Sequence, residues 1–233
     1  MRTKTVAMLM AAMLLVATAT AALAHRPYFE ESDIVGSMPW EIDDPTVSTV
    51  IYATLDSRAD ADYYTFAGEA GQRILLEITI PQIAGQELFA PSLALVGPGL
   101  PAGQLPLRVA TADNLGVVEI APPTGAAETF YEPFSRTSYW ERQSERVTLP
   151  ADGQYTVAIW HPRGEVGRYG FVIGDKERLG GDLLGLAGKL RSYWTPVPEP
   201  DEPLLQEVNL TGMTRLPEAK PAGWRYSTSC AEE

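Results

Sequence analysis

Arg73-Ile74-Leu75-Leu76-Glu77-Ile78-Thr79-Ile80 decides the fold class. Ile74, Leu76, Ile78 and Ile80 fall on one face of an extended chain, and Glu77 and Thr79 on the other. That period of two belongs to a strand buried on one side. The pattern recurs in both directions along the chain. Tyr64 and Phe66 share a face ahead of a turn at Gly68–Gly71, and Ser92–Val96 is a short apolar run ended by Gly97-Pro98-Gly99. Val147 and Leu149 lead into Pro150-Ala151-Asp152-Gly153, where Asp-Gly marks a turn. Gln154–Trp160 then places Tyr155, Val157 and Ile159 on one face, and a Gly-containing loop from Pro162 to Gly167 leads to Tyr169, Phe171 and Ile173. The spacing predicts a hairpin between these last two strands. Short strands punctuated by Gly and Pro predict an all-β, antiparallel β-sandwich. Only 181–194 reads as helix, weakened by Gly185 and Gly188.

Outside the strands the chain divides by composition. Arg2 and Lys4 precede an apolar stretch from Val6 to Val16, and Ala22-Leu23-Ala24 supplies the small residues of a cleavage site. Residues 1–24 therefore read as a signal peptide, too short and too rich in Ala and Thr for a spanning helix. The expected mature chain begins at His25, is exported to the periplasm or beyond the cell, and has no transmembrane segment. No Cys follows the cleavage site, which argues against a bacterial lipid anchor. Removing Arg2 and Lys4 leaves 16 Lys+Arg against 30 Asp+Glu, a formal charge of −14. Such a surface repels nucleic acid and anionic lipid. The lone Cys230 precludes an internal disulfide, so stability must come from core burial. Residues 25–48 form an acidic lead-in, 49–176 the sandwich domain, 177–194 a short helical segment, and 195–233 a Pro- and acid-rich extended tail.

Two stretches resemble a known family. Asp60-Ala61-Asp62-Tyr63-Tyr64-Thr65-Phe66 is followed by Glu69-Ala70-Gly71-Gln72-Arg73. Some 80 residues later come Leu149-Pro150-Ala151-Asp152-Gly153-Gln154-Tyr155-Thr156-Val157 and Gly167-Arg168-Tyr169-Gly170-Phe171. This layout resembles the bacterial pre-peptidase C-terminal domain across residues 49–174. The resemblance implies a jelly-roll-like β-sandwich of secreted proteins. The region 97–146 is longer than that family's usual middle, and no catalytic domain precedes the module. The same motifs also have a plain structural account as strand starts and turns.

Three candidate sites follow. Some relatives of that family bind calcium through acidic residues of the lead-in and of the first strand's start. The resemblance thus points to Asp60 and Asp62, with Asp43 and Asp44 as lead-in ligands. Calcium requires six to eight oxygens, and the competing reading is carboxylates that cap turns and solubilise the surface. Copper is the second candidate: a mature N-terminal His25 chelating through amine and ring, completed by His161 as a histidine brace. The plainer account makes both histidines ordinary surface and strand-end residues. Third, Phe130, Tyr131, Phe134, Tyr139 and Trp140 crowd one connection and offer an aromatic platform for a polysaccharide or an envelope protein. Folded back, the same rings would simply pack on the sandwich. No Gly-x-Ser-x-Gly elbow, His-Glu-x-x-His or phosphate-cradling loop occurs in the sequence. The leading expectation is an exported, non-catalytic binding or accessory protein; the alternative is copper handling through His25 and His161.

Overall fold

A computed structural model of the chain describes residues 25–106, 115–132, 136–178 and 180–205. The signal-peptide reading of 1–24 lies outside the described residues, as do Phe134, Trp224, Tyr226 and Cys230. The strands run β1 Arg26–Phe29, β2 Trp40–Glu41, β3 Thr49–Leu55, β4 Ala61–Gly68, β5 Arg73–Pro81, β6 Ser92–Gly97, β7 Gly116–Ile120, β8 Glu128–Glu132, β9 Thr137–Thr148, β10 Gly153–Trp160 and β11 Gly167–Ile173. A single helix among the described residues, α1, spans Leu186–Tyr193. One sheet has the order β1-β3-β11-β5-β9-β8 and the other β2-β4-β10-β6-β7. The result is an all-β sandwich.

The alternating stripes meet between the sheets. Ile74, Leu76, Ile78 and Ile80 of β5, with Tyr169, Phe171 and Ile173 of β11, face Tyr64 and Phe66 of β4 and Tyr155, Val157 and Ile159 of β10. All of these side chains are shut off from solvent. Burying a large apolar side chain contributes about 1.5–3 kcal/mol, which replaces the covalent cross-link that the chain lacks. Close packing also fixes glycine: a Cβ on Gly97 would lie 2.1 Å from the Tyr155 ring.

Three expectations need correction. The strands β10 and β11 do not pair as a hairpin. β10 lies between β4 and β6 in one sheet, and β11 lies between β3 and β5 in the other. The loop after Trp160 is an arch that carries the chain across the core, so the two apolar stripes oppose each other. Second, the lead-in, expected to lie outside the strands, is not strand-free. It supplies β1, parallel to β3, and β2, parallel to β4, so both sheets are mixed, with parallel edges on otherwise antiparallel ladders. Third, Tyr139 and Trp140 belong to β9, which forms a hairpin with β8, rather than to an irregular connection.

The motifs that resemble the pre-peptidase C-terminal domain act as fasteners. The Asp152 carboxylate accepts the Ala70 N–H at 2.7 Å, and the Gly71 N–H donates to the Leu149 carbonyl at 2.8 Å. These bonds tie the turn before β5 to the turn before β10. Helix α1 begins after Gly185, whose φ of +73° suits glycine. Its Leu190 and Tyr193 cover Phe29, Val50, Tyr52, Tyr139 and Val172 on the outer face of the first sheet. The following segment is irregular yet anchored: Arg58 donates to the carbonyls of Glu202 (3.0 Å) and Pro200 (3.2 Å) and to the Glu199 carboxylate (3.1 Å). Among the described residues no helix is long and apolar enough to cross a membrane.

Ile78→Ala removes a fully buried side chain at the centre of this core. It is expected to lower unfolding free energy by about 2–5 kcal/mol, read from urea denaturation followed by tryptophan fluorescence. A loss well under that range would show that the stripe is not packed between the sheets.

Candidate functional site

Alternation along β4 sends Asp62 to the same side as Tyr64 and Phe66, which places a carboxylate inside the sandwich. Asp62 is 0% exposed. One oxygen, Oδ2, accepts a hydrogen bond from the Tyr169 hydroxyl. Tyr169 has one proton to give, so the Tyr64 hydroxyl, 2.7 Å away, donates to Tyr169 in turn. The other oxygen, Oδ1, is buried and has no hydrogen-bond partner among the described residues. Leaving a buried carboxylate oxygen unpaired is costly.

The lead-in adds two more carboxylates at this point. Leaving β1, the chain crosses from one sheet to the other between Phe29 and Trp40 and closes the side of the sandwich. It is held by the Glu30 N–H on the Tyr52 carbonyl (3.0 Å) and by the Tyr63 N–H on the Ile34 carbonyl (3.0 Å). Glu30 and Asp33 come to lie against Asp62, with one oxygen of each of the three within 4.8 Å of the others. Glu30 Oε2 also accepts the Thr54 N–H at 2.8 Å. Asp60 borders the cluster, its Oδ2 accepting the Asp56 N–H at 2.7 Å.

Burial combined with mutual repulsion raises the proton affinity of the group. Desolvation chiefly, then Asp60, Asp33 and Asp56, push Glu30 up to about 8. Desolvation and the neighbours Asp33 and Asp56 push Asp60 up to about 6. Asp62 lies well above the ordinary carboxylate range, again mainly through burial and then through Asp60 and Glu30. A divalent cation would relieve both penalties. Two ligands of one calcium lie at most about 5 Å apart, given Ca–O distances of 2.3–2.6 Å. The three oxygens satisfy that limit, and hard carboxylate donors suit calcium rather than a soft metal.

The expected residues divide. Of the expected strand-entry pair, Asp62 lies against lead-in carboxylates, those of Glu30 and Asp33 rather than Asp43 and Asp44, while Asp60 borders the group without joining it. Because β2 runs parallel to β4, with Trp40 opposite Tyr64 and Glu41 opposite Thr65, Asp43 and Asp44 lie several residues further along from Asp62. Asp44 instead caps its own turn, accepting from the Thr46 N–H (3.0 Å) and hydroxyl (2.6 Å). Glu30 was among the lead-in acids visible in the sequence; only the crossing after β1 singles it out.

The histidine brace does not form. His25 lies at the Thr49 end of β3, its Nδ1 2.5 Å from the Ser48 hydroxyl. His161 follows Trp160, which pairs with Ala61, at the Leu55 end. The seven residues of β3 hold these ends about 20 Å apart. The His161 ring is also engaged locally: Nδ1 accepts the Glu165 N–H at 3.0 Å and the ring stacks on Phe89. It fastens the arch between β10 and β11.

The aromatic platform is divided too. Neighbouring strand residues point to opposite faces, so Trp140 packs towards the core while Tyr139 is buried on the outer face against Trp194. Phe130 and Tyr131, on the edge strand β8, are 40% and 55% exposed.

No family model matches the chain, and no curated protein matches it. Solved structures with a similar chain path include PliG of Aeromonas hydrophila, a periplasmic inhibitor of g-type lysozyme. It is 13% identical, covers 65% of this chain and 98% of its own, and has a TM-score of 0.33. The pre-peptidase C-terminal domain of collagenase from Bacillus anthracis is 11% identical over 62% of this chain and 98% of its own, with a TM-score of 0.32. PliG of Salmonella Typhimurium is 16% identical over 64% and 97%, with a TM-score of 0.30. One of the three is a domain of the family that the motifs at 60–73 and 149–171 resemble. Similarities this low assign neither a family nor an activity.

The carboxylate cluster gives stability a defined pH dependence when cations are chelated. Below about pH 4 the folded and unfolded chains both hold these protons. As pH rises, the unfolded chain releases them near the ordinary values, while the folded chain keeps them until about 6 for Asp60 and about 8 for Glu30. Stability contributed by the raised groups is therefore lost between about pH 4 and 8. The melting temperature in chelator should fall across this window, and Glu30→Gln should flatten the part between pH 6 and 8. A melting temperature that climbs with pH over that window would contradict the assignment.

Proposed function

We propose that the mature chain is an exported, non-catalytic β-sandwich of the periplasm or extracellular space. In this reading it is a binding or accessory module whose lead-in is locked to the sandwich by a divalent cation, calcium by donor type. One observation carries the reading: Asp62 is fully buried with one oxygen unpartnered among the described residues, and its carboxylate offers an oxygen within 4.8 Å of one oxygen each from Glu30 and Asp33. A cation there balances charge that burial otherwise forces to remain protonated. It also joins residues from β4 and from the crossing after β1, so that binding and closure of the sandwich's side are one event. Water completes the coordination in this proposal, as is common for calcium.

A polysaccharide or protein partner meeting Phe130 and Tyr131 is a second reading, supported by the exposure of those two rings on an edge strand. Tyr139 and Trp140 contribute to it only by supporting β9.

Calcium added to chelator-treated mature chain at pH 7.5 should raise the melting temperature, because a ligand bound by the folded state alone stabilises it. Terbium should give luminescence sensitised by excitation of Tyr64 and Tyr169, and calcium should quench it by competition. Asp62→Asn keeps the shape, removes the carboxylate that would bind the cation, and is expected to abolish both responses. Equal calcium shifts in wild type and Asp62→Asn would place the cation elsewhere.

A further inference from the structure

The crossing that delivers Glu30 and Asp33 leaves a groove along the side of the sandwich, between the edge strands β1 and β2. Tyr28 of β1 and Trp40 of β2 meet across it edge to face, with centroids 5.9 Å apart and planes at 62°. A hollow of about 430 Å³ lies on each side of this pair, and both rings line both hollows. Carboxylates ring each one: Glu31, Asp33 and Asp182 in the first, Glu41, Asp43 and Asp44 in the second.

Some of this charge is answered locally. Lys189 pairs with Asp182 at 2.9 Å and approaches Glu31 at 3.6 Å, Arg178 lies 3.7 Å from Asp44, and Arg26 lines the second hollow. Asp33 belongs to the cation cluster, whereas Glu41 and Asp43 of the second hollow have no ion-pair partner among the described residues. The second hollow therefore stays negative on a chain whose expected mature charge is −14. An apolar side chain also borders the groove: Met38, which lines the first hollow, is 63% exposed.

We propose that this groove docks a segment of a partner protein that carries Lys or Arg flanked by apolar residues. The unpaired acids of the second hollow complement cationic side chains, and such complementarity steers encounter and fixes register. The Tyr28–Trp40 pair and the exposed Met38 give the apolar residues of that segment something to cover. A neutral sugar fits less well, because it brings no positive charge to the unpaired carboxylates of the second hollow. Nucleic acid and anionic lipid are repelled by the same charge. The second hollow shares no carboxylate with the cation cluster, so the two sites can be tested separately.

The probes are short fluorescein-labelled peptides, titrated with calcium-saturated mature chain and read by anisotropy. One alternates Lys with Leu, one alternates Lys with Ser, and one alternates Glu with Leu; an unlabelled neutral glucan oligosaccharide is titrated separately against tryptophan fluorescence. Saturable binding of the Lys/Leu peptide is expected, weakening between about 50 and 500 mM salt as screening grows. The Lys/Ser peptide should bind about tenfold more weakly and the Glu/Leu peptide not at all. The double variant E41K/D43K reverses two exposed charges without touching the core, and should weaken the Lys/Leu peptide at least about tenfold. The control E119K/E145K, which reverses two exposed charges on β7 and β9, should leave it unchanged. Equal losses in both variants, or equal affinity for Lys/Ser and Lys/Leu, would reduce the effect to overall charge and overturn the proposal. Glucan binding without peptide binding would overturn it as well.

Discussion

A carboxylate on the inner face of a β-sandwich is the constraint around which this molecule is arranged. Every other inward position along β4, β5, β10 and β11 is apolar or aromatic. Asp62 breaks that rule one residue before Tyr63 and two before the Tyr64 ring. Tyr64 and Tyr169 answer half of it by lining up their hydroxyls towards one oxygen. The remaining oxygen has no partner among the described residues, and the nearby lead-in brings more negative charge rather than a cationic partner. Such an arrangement raises the energy of the cation-free fold. It makes physical sense when a cation shares the three carboxylates.

The same segment links the other parts of the structure. Between β1 and β2 the chain passes from the edge of one sheet to the edge of the other, so these two short strands close one side of the sandwich. Phe29 and Lys189 then connect this side to α1, with the Lys189 ammonium 5.6 Å from the Phe29 ring centroid and the Tyr193 ring stacked edge-on to Phe29. Tyr193 reaches back through its hydroxyl to the Tyr169 carbonyl. A hydrogen-bonded path thus runs from the helix on the outer face, through β11, to the buried carboxylate. Anything that orders the lead-in also buttresses the helix.

The fold class was legible because period-two alternation records which side chains share a face. Ile74 to Ile80 and Tyr155 to Ile159 point inward as that rule requires. Alternation does not record which strand lies alongside. The stripes of β10 and β11 satisfy a hairpin and an arch equally well, and only the crossing of the loop after Trp160 separates the two. The short strands β1 and β2 were illegible for a different reason. Four and two residues are too few to show a period, and Pro27 within β1 reads as a strand breaker unless the strand lies at an edge. The site was half legible: Asp60 and Asp62 stood out at the start of β4, whereas their partners depended on a chain reversal that no local pattern encodes. His25 and His161 looked joinable in sequence because nothing there measures the length of β3.

The most direct measurement is anomalous diffraction from crystals of the mature chain grown with terbium in place of calcium. The account predicts one strong anomalous peak within about 2.6 Å of carboxylate oxygens from Asp62, Glu30 and Asp33 together. A peak at Asp43 and Asp44 instead, or Asp62 Oδ1 bonded to a protein donor with no peak beside it, would contradict it.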